Sequence, residues 1–286
     1  MNELVVSGWD GYELIDSGDG RRLERYGSYT VVRPDPNVLW APTDESNPLW
    51  QNADAEYVGG EKGSEWVVRR GEMKNGWILE WQEMKLRLQL TPFRHVGVFA
   101  EQESNWKWIQ ERITSSKKES PKVLNLFGYT GASSLVASLS GAQVTHVDAS
   151  KGTTHWASEN AQLSGCENIR WIVDDALKFA EREVRRGTKY DMIMLDPPVF
   201  GRGPKGEIWR LEDKIEPLLE AVRDLLSDEP IGLLINTYAA SLYPESMLRL
   251  AESILKGKGL KLVLSTLCLE ESSSKKSLQT GFVIRS

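Results

Sequence analysis

Apolar and polar positions alternate over short distances in the first part of the chain. Between residues 1 and about 95, brief apolar runs are separated by clusters of Gly, Asp, Asn and Pro, a pattern typical of strands and turns. The runs are YELID (12–16), SYTVVR (28–33), SEWVVRR (64–70), GWILEWQ (76–82) and KLRLQL (85–90). The stretch 34–63, which is rich in Pro, Gly and polar residues, is expected to be a long loop. These features predict a β-rich N-terminal region.

The pattern changes after residue 100, where apolar runs begin to alternate with helical segments. ESNWKWIQERI (103–113) is expected to be a helix with Ser104 as its N-cap. The helix expected over 212–227 contains Pro217, which should break or kink it. Strands are expected at 122–127, 142–148, 168–175, 190–196 and 230–238, with further helices at 150–165, 176–187 and 244–259.

The order of these elements predicts an α/β fold. Strands that alternate with helices form a parallel sheet with helices on both faces. The last two runs, 260–271 and 278–286, are joined by too few residues for a crossover helix, so an antiparallel hairpin at the sheet edge is expected. We predict a seven-stranded Rossmann-like sheet with this C-terminal hairpin in residues 101–286. A smaller β-rich region, 1–100, precedes it and is a candidate for substrate recognition.

The first candidate site follows the strand at 122–127. In a sheet of this kind, ligands bind outside the carboxyl ends of the strands. Gly128 and Gly131 allow the chain to turn tightly there and to approach a ligand closely. The helix that begins after Gly131 directs its free N–H groups toward the same place. Any strand-to-helix turn can use glycine, however, so the turn alone does not decide the function.

Acidic residues end the next two strands. Asp148 lies 17 residues after Gly131, where an acid can accept both hydroxyls of a ribose. Asp174 and Asp175 end the third strand, and a carboxylate there can accept a hydrogen bond from an adenine amino group. The alternative for each position is a helix N-cap, which favours Asp for a purely structural reason.

The fourth strand ends in Asp196-Pro197-Pro198-Val199-Phe200. The two prolines stop the strand and hold the loop extended, which gives the Asp196 carboxylate and the Pro197 carbonyl a fixed direction. These oxygens can accept a hydrogen bond from an exocyclic amino group, and Phe200 can stack on a base. The alternative is a rigid turn with no chemical role.

Four segments together resemble a known family. LNLFGYTGAS, VTHVDAS, VDDA and DPPVFGRG, in this order and spacing, are similar to class I S-adenosylmethionine-dependent methyltransferases. The branch they resemble includes the bacterial 23S ribosomal RNA methyltransferases with an LNxFxYTG turn and a DPPxF loop. The segment 91–109 is similar to the β segment that precedes the catalytic domain of those enzymes, and the resemblance covers roughly residues 85–286.

The resemblance implies a cofactor, an RNA substrate and a set of site residues, and it implies no metal. The cofactor is S-adenosyl-L-methionine, and its implied binding residues are Asn125, Phe127, Gly128, Tyr129, Thr130, Gly131, Asp148, Ala149, Ser150, Asp174, Asp175, Ala176 and Asp196. The implied catalytic residues are Asp196, Pro197 and Phe200, and the implied substrate-binding residues are Phe200, Arg202 and Lys205. Arg202, Lys205 and Arg210 follow the DPPVF loop and could contact phosphate, and the alternative for all three is that they are solvated loop charges.

The cysteines bear on which atom is methylated. Methylation of cytosine at C5 needs a cysteine nucleophile that first adds to the ring. The fifth strand ends in Ile235-Asn236-Thr237-Tyr238 and the DPPVF loop has no Cys, while Cys166 and Cys268 lie elsewhere. Transfer to a nitrogen, which keeps its own lone pair, is therefore favoured.

Charge and composition limit the remaining choices. The net charge is −6, whereas a protein that binds nucleic acid mainly by counterion release is usually basic. Any RNA contact must then come from a local basic patch or be short-lived. Two widely spaced cysteines, no apparent signal peptide and no long apolar stretch favour a cytoplasmic protein.

Three other functions stay open. The first is a methyltransferase for a small molecule or a protein, which the acidic charge favours. The second is a dinucleotide-dependent oxidoreductase, although the turn FGYTGAS lacks the Gly-x-Gly-x-x-Gly pattern of that class. The third is a binding module without catalytic activity.

Overall fold

A computed structural model describes residues 1–60, 63–238 and 243–286. Contacts divide these residues into two compact units. The N-terminal unit comprises Val5–Glu103 and Cys268–Gln279, and the parallel-sheet unit comprises Met1–Leu4, Ser104–Leu267 and Thr280–Ser286. The division at residue 100 stays a prediction, and no local pattern indicates the grouping of Cys268–Gln279 with the first hundred residues.

The N-terminal strands are short and mostly antiparallel. Five of them, β2 to β6, form one sheet in chain order, and β7 and β8 form an antiparallel pair. Their bounds, with the one α-helix and with β1, are β1 (Asn2–Val6), β2 (Tyr12–Gly18), β3 (Arg21–Tyr26), β4 (Tyr29–Pro34), α1 (Leu49–Asn52), β5 (Ala55–Gly60), β6 (Gly63–Val68), β7 (Trp77–Trp81) and β8 (Met84–Leu88). The five strand runs expected from the sequence are all confirmed.

The expectation of one long loop over 34–63 is wrong, because α1 and β5 lie inside it. Strand β5 pairs in parallel with β4 through Val31 and Ala55, a contact between residues far apart in the chain. Strand β3, RRLERY, was not expected either, because its charged residues do not show the apolar pattern of a buried strand. Its Glu24 is fully buried, forms an ion pair with Arg33, and accepts a hydrogen bond from the Tyr12 hydroxyl at 2.8 Å. Burial alone would raise the pKa of Glu24, but the Arg33 guanidinium lowers it to about 2.

The parallel-sheet unit contains the predicted seven strands. They are β9 (Lys122–Leu126), β10 (Gln143–Asp148), β11 (Ile169–Val173), β12 (Met192–Leu195), β15 (Gly232–Thr237), β16 (Val263–Glu270) and β17 (Ser277–Arg285), and two shorter strands, β13 (Phe200–Arg202) and β14 (Ile208–Arg210), form a separate antiparallel ribbon. The sheet order is β1-β16-β17-β15-β12-β9-β10-β11. Strands β11, β10, β9, β12 and β15 run parallel, and β17 runs antiparallel to β15. The α/β fold is confirmed, with one addition: β1 pairs outside β16, so the C-terminal hairpin is not the sheet edge.

The helices of this unit lie near their expected positions. They are α2 (Glu103–Thr114), α3 (Ala132–Leu139), α4 (Lys151–Leu163), α5 (Ala176–Arg185), α6 (Leu211–Leu225) and α7 (Pro244–Ile254). Ser104 is not an N-cap, because a 3-10 turn over Ala100–Gln102 leads directly into α2 and places Ser104 inside its first turn. Helix α6 is not broken, since it continues through Pro217. No helix of the described residues is long and apolar enough to cross a membrane.

Alternate apolar residues of the central strands align the carboxyl ends of the sheet. Leu124 and Leu126 of β9 lie beside Ile193 and Leu195 of β12, and all four are buried under α5, α6 and α7. A shift by one residue would turn these side chains to the opposite face of the sheet. The register therefore brings the residues that follow β9 and β12 to the same edge.

Candidate active site

The turn after β9 has an unusual backbone conformation. Three alternate residues have positive φ: Phe127 at 60°, Tyr129 at 50° and Gly131 at 94°. A left-handed conformation costs a residue other than glycine about 1–2 kcal/mol. Such strain persists only where surrounding contacts determine the conformation, and it is frequent at functional sites.

Hydrogen bonds from both sides hold this turn. The Gly128 N–H donates to the carbonyl of Val147 in β10 at 3.0 Å. On the other side, the Asn160 side chain in α4 donates to the Thr130 carbonyl at 2.9 Å. These contacts join the turn to β10 and to α4, so its shape depends on two elements that lie further along the chain.

A buried polar group lies directly beneath the turn. The Asn125 side chain donates to Ser134 Oγ at 2.8 Å, and that oxygen is 3.0 Å from Nδ1 of His146. A Cβ atom on Gly128 would lie 2.3 Å from the imidazole of His146, which is fully buried. The Asn125 amide is therefore engaged beneath the turn, and only glycine fits at position 128.

Gly128→Ala is expected to lower the free energy of unfolding by about 1–3 kcal/mol, the usual cost of overpacking. The extra methyl group must displace either the turn or the His146 ring, so cofactor binding should weaken as well. Gly152→Ala is the matched control, because the nearest atom to its added Cβ is 4.0 Å away and alanine is a good helix former. Chemical denaturation of the three proteins tests this, and equal stability of Gly128→Ala and Gly152→Ala would contradict it.

Asp148 accepts backbone hydrogen bonds with both carboxylate oxygens. Its Oδ2 accepts from the Tyr129 N–H at 3.0 Å, and its Oδ1 accepts from the Ser150 N–H at 2.9 Å. Burial raises the pKa of Asp148, although these two hydrogen bonds act in the opposite direction. The N-cap of α4 is Ser150, whose hydroxyl accepts from the Thr153 N–H at 3.2 Å. The capping alternative for Asp148 is therefore wrong.

The two acids after β11 are both engaged locally. Asp175 is the N-cap of α5, which begins at Ala176, and accepts from the Lys178 N–H at 3.0 Å. Asp174 forms an ion pair with Arg182 at 2.7 Å. The capping alternative for Asp175 is thus confirmed, and a second role in adenine binding stays a prediction. The Asp174 N–H donates to the Asp148 carbonyl at 3.2 Å, which places the second and third strand ends side by side.

Asp196 is held by a residue that sequence reasoning missed. Its backbone N–H donates to the Leu126 carbonyl at 3.3 Å, and its Oδ1 accepts from the Asn236 side chain at 3.0 Å. Asn236 is fully buried near the end of β15, and its own Oδ1 has no hydrogen-bond partner among the described residues. Its place at the fifth strand end, at the same edge of the sheet, was the signal that could have identified it.

Trp209 is the second missed residue. Its Nε1 donates to the Pro198 carbonyl at 2.6 Å, and its ring centroid is 4.8 Å from that of Phe127. One buried side chain therefore fixes the loop after β12 relative to the turn after β9. Phe200, by contrast, is 54% exposed, as is needed for stacking on a substrate.

A cavity of about 270 Å³ opens beside Asp175, between the start of α5, the β13–β14 ribbon and α6. Its lining includes Lys178, Glu207, Ile208 and Trp209. Among the described residues, no three His, Cys, Asp or Glu side chains form a group that could hold a metal ion.

A family model of S-adenosylmethionine-dependent methyltransferases matches residues 54–245. The chain belongs to this family. The resemblance seen in its sequence motifs is confirmed, and its cofactor is S-adenosyl-L-methionine. Membership in this family also excludes the two other classes of protein, an oxidoreductase and a binding module without catalytic activity.

Relatives and solved structures agree with this assignment. A ribosomal RNA large subunit methyltransferase K/L from Shewanella frigidimarina is 31% identical over 179 residues, which cover 61% of this chain and 24% of that protein. The chain thus spans about a quarter of the length of the curated relatives it matches. An S-adenosylmethionine-dependent methyltransferase structure from Agrobacterium tumefaciens is 41% identical with a TM-score of 0.94, covering 99% of this chain and 92% of that one. A methyltransferase structure from Streptococcus mutans has a TM-score of 0.72 at 18% identity, covering 96% and 74%, and shows the fold alone.

Proposed function

We propose that this methyltransferase modifies a nitrogen of a base in ribosomal RNA. The observation that carries the proposal is the acceptor loop: a carboxylate held by Asn236, followed by two prolines and an exposed Phe200. An amino group hydrogen-bonded to Asp196 and a ring stacked on Phe200 describe a nucleobase. The matched relatives, named for ribosomal RNA, support the same substrate class.

The residues of the first three strand ends fit the cofactor. Gly128 and Gly131 allow the tight packing of the turn that would hold it, since a Cβ on either would meet a side chain of the protein interior within about 3 Å. Each Asp148 oxygen accepts one backbone N–H and keeps a lone pair for a ribose hydroxyl. We assign Asp148 to the ribose, the turn to the methionine part, and the segment 174–176 to the adenine.

S-adenosylmethionine supplies a methyl group on a sulfonium sulfur: the nitrogen lone pair bonds to the methyl carbon as the carbon–sulfur bond breaks, which yields S-adenosylhomocysteine and releases one proton from the acceptor. The contribution of this chain is then to position the acceptor in line with that methyl group. Asp196 and the Pro197 carbonyl accept hydrogen bonds from the acceptor nitrogen, and the buried Asn236 prevents the carboxylate from rotating away.

The positions of the cysteines support nitrogen rather than C5 of a pyrimidine. Cys268 is buried within β16, and Cys166 follows α4 rather than the acceptor loop. Burial raises the pKa of Cys166, which reduces the thiolate that C5 chemistry requires.

Asp148→Ala is expected to weaken S-adenosylhomocysteine binding by about 1.5–3 kcal/mol, the usual value of hydrogen bonds to a charged group. Wild-type binding should also weaken as the pH falls through the raised pKa of Asp148, because a protonated carboxyl accepts fewer hydrogen bonds. This loss should begin above the usual Asp pKa of about 3.9. Titration calorimetry across this pH range measures both effects. Asp228→Ala, at an exposed acid, is the control, and a dissociation constant unchanged in Asp148→Ala would exclude the ribose role.

Labelled S-adenosylmethionine, incubated with RNA and with protein from a cell extract, tests the substrate class. Label in RNA that survives protease and is lost with ribonuclease supports the proposal, and nucleoside analysis then identifies the methylated atom. Label found only in protein or in small molecules would overturn it. The net charge of −6 favours that second outcome, so the small-molecule or protein methyltransferase remains the alternative to be tested.

A further inference from the structure

The β13–β14 ribbon, which follows the acceptor loop directly, has two different faces. Its register pairs Phe200 with Arg210 and Arg202 with Ile208, and the central pair is Gly201 with Trp209. Because side chains alternate along a strand, the central pair lies on one face and the two outer pairs on the other. Trp209 is 4% exposed, whereas Phe200 is 54% and Ile208 53% exposed. The outward face therefore carries two apolar side chains and two arginines.

These four outward side chains form a diagonal pattern. Each strand contributes one apolar residue and one arginine, and every apolar residue lies opposite an arginine on the other strand. Phe200 and Arg202 are two positions apart on one strand, roughly 7 Å at the usual rise. An aromatic face next to a cation at this spacing can contact a base and a neighbouring phosphate together.

The positive charge of the ribbon is available to a ligand. In the part of the chain that the structure describes, Arg202, Lys205 and Arg210 form no ion pair. Glu207, in the segment that joins β13 to β14, forms an ion pair with Lys178 at 2.8 Å. Further acids, Glu212 and Asp213, follow only in the first turn of α6. The outward face is thus a local basic patch on an acidic protein.

The ribbon is also fixed in place next to the acceptor loop. The Trp209 Nε1 bond to the Pro198 carbonyl joins its inner face to that loop, and the Leu211 N–H donates to the Val199 carbonyl at 3.0 Å. The outward face of the ribbon therefore lies directly beside the loop that carries Asp196, within reach of a strand whose base is bound there.

We propose that the outward face of β13–β14 binds an unpaired RNA strand: the methylated base stacks on Phe200, and Arg202, Ile208 and Arg210 contact the nucleotides adjacent to it. This rests on the proposed RNA function and adds that the substrate is single-stranded at that point. In a duplex the bases are stacked inward and cannot reach an aromatic side chain, whereas an unpaired strand presents both bases and phosphates. Ile208 thereby acquires a role that the motif does not indicate.

The test uses the double variant Arg202→Gln/Arg210→Gln and the matched control Arg185→Gln/Arg249→Gln, which removes two exposed arginines from α5 and α7. The probe is an unstructured RNA of about 12 nucleotides, alone and annealed to its complement, and binding is measured by fluorescence anisotropy at several salt concentrations. We expect the wild type and the control to prefer the single strand. The ribbon variant should bind it at least about tenfold more weakly, and the negative slope of log affinity against log salt should become smaller in magnitude by about 1.4, the value for two lost phosphate contacts.

Methylation of protein-free ribosomal RNA provides the second readout. The KM of the ribbon variant for RNA should rise by more than its kcat falls, and its thermal shift with S-adenosylhomocysteine should match that of the wild type. If the ribbon variant and the control have equal RNA affinity and equal KM, and both still methylate RNA, the ribbon site is overturned and the proposed function stays intact. A preference of the wild type for duplex would do the same. If the wild type methylates no RNA, both proposals are overturned together.

Discussion

Asp196→Ala is expected to slow methyl transfer at least about a hundredfold, the lower bound for losing a positioned acid–base or hydrogen-bonding group. The carboxylate lies at the end of β12, where it is held by Asn236 and followed by the rigid Pro197-Pro198 segment. Removing it leaves the acceptor nitrogen without the group that orients it. The turn after β9 and Asp148 remain intact, so S-adenosylhomocysteine should bind with a much smaller loss.

Two further variants separate positioning from chemistry at this site. Asn236→Ala keeps the carboxylate but frees it to rotate, so methyl transfer should fall less than in Asp196→Ala. Asp196→Asn keeps the size and the hydrogen bonding of one oxygen but removes the charge. Single-turnover transfer of labelled methyl groups and the thermal shift with S-adenosylhomocysteine should be measured on the same preparations. Turnover in Asp196→Ala within a few-fold of the wild type would show that the carboxylate does not orient the acceptor.

The second large effect is a loss of stability in mild acid, caused by His146. Its imidazole is fully buried beneath the turn that follows β9, and burial lowers its pKa from 6.5 to about 3. Below pH 6.5 the unfolded chain binds a proton that the folded protein excludes, so folding stability falls as the pH falls. The free energy of unfolding should fall by about 1.4 kcal/mol per pH unit, which gives a loss of roughly 2–3 kcal/mol between pH 6.5 and 4.5.

The chain has three histidines, which makes the assignment testable. His146→Phe keeps a flat ring under Gly128 but cannot titrate, so its unfolding free energy should depend less steeply on pH even if it is lower at pH 7. His155→Gln is the matched control for the removal of a histidine, since His155 is exposed beside Glu159. His95, whose pKa burial lowers to about 4, contributes in the N-terminal unit to all three proteins alike. Parallel pH profiles of the wild type and His146→Phe would contradict the role of His146.

The sequence alone predicted the parallel sheet, the positions of its strands along the chain, and the residues that end each strand. These features depend on local properties: the length and spacing of apolar runs, the glycine turn at 128–131, and the prolines that stop β12. Each of these properties depends only on residues a few positions apart in the chain. The motifs at successive strand ends therefore indicated the family before any contact was known.

The N-terminal region was predicted less completely, because its missed elements depend on distant pairing. Strand β5 lies beside β4, and β3 is a charged segment whose Glu24 forms an ion pair in the interior with Arg33 of β4. Propensity assigns such segments to loops or solvent, since burying a charge is costly unless a partner is present. The partner is known only once the chain has folded.

The supporting residues of the candidate site were decided by the tertiary structure for the same reason. Asn236 lies 40 residues after the Asp196 that it holds, and Trp209 joins the loop after β12 to Phe127 through its ring and its N–H. Glycine at 128 could be read as a turn, but only the position of the His146 ring shows that a single methyl group would not fit. Local sequence thus determined which residues end each strand, whereas packing between strands determined which side chains hold them in place, because those contacts join residues that the chain brings together only on folding.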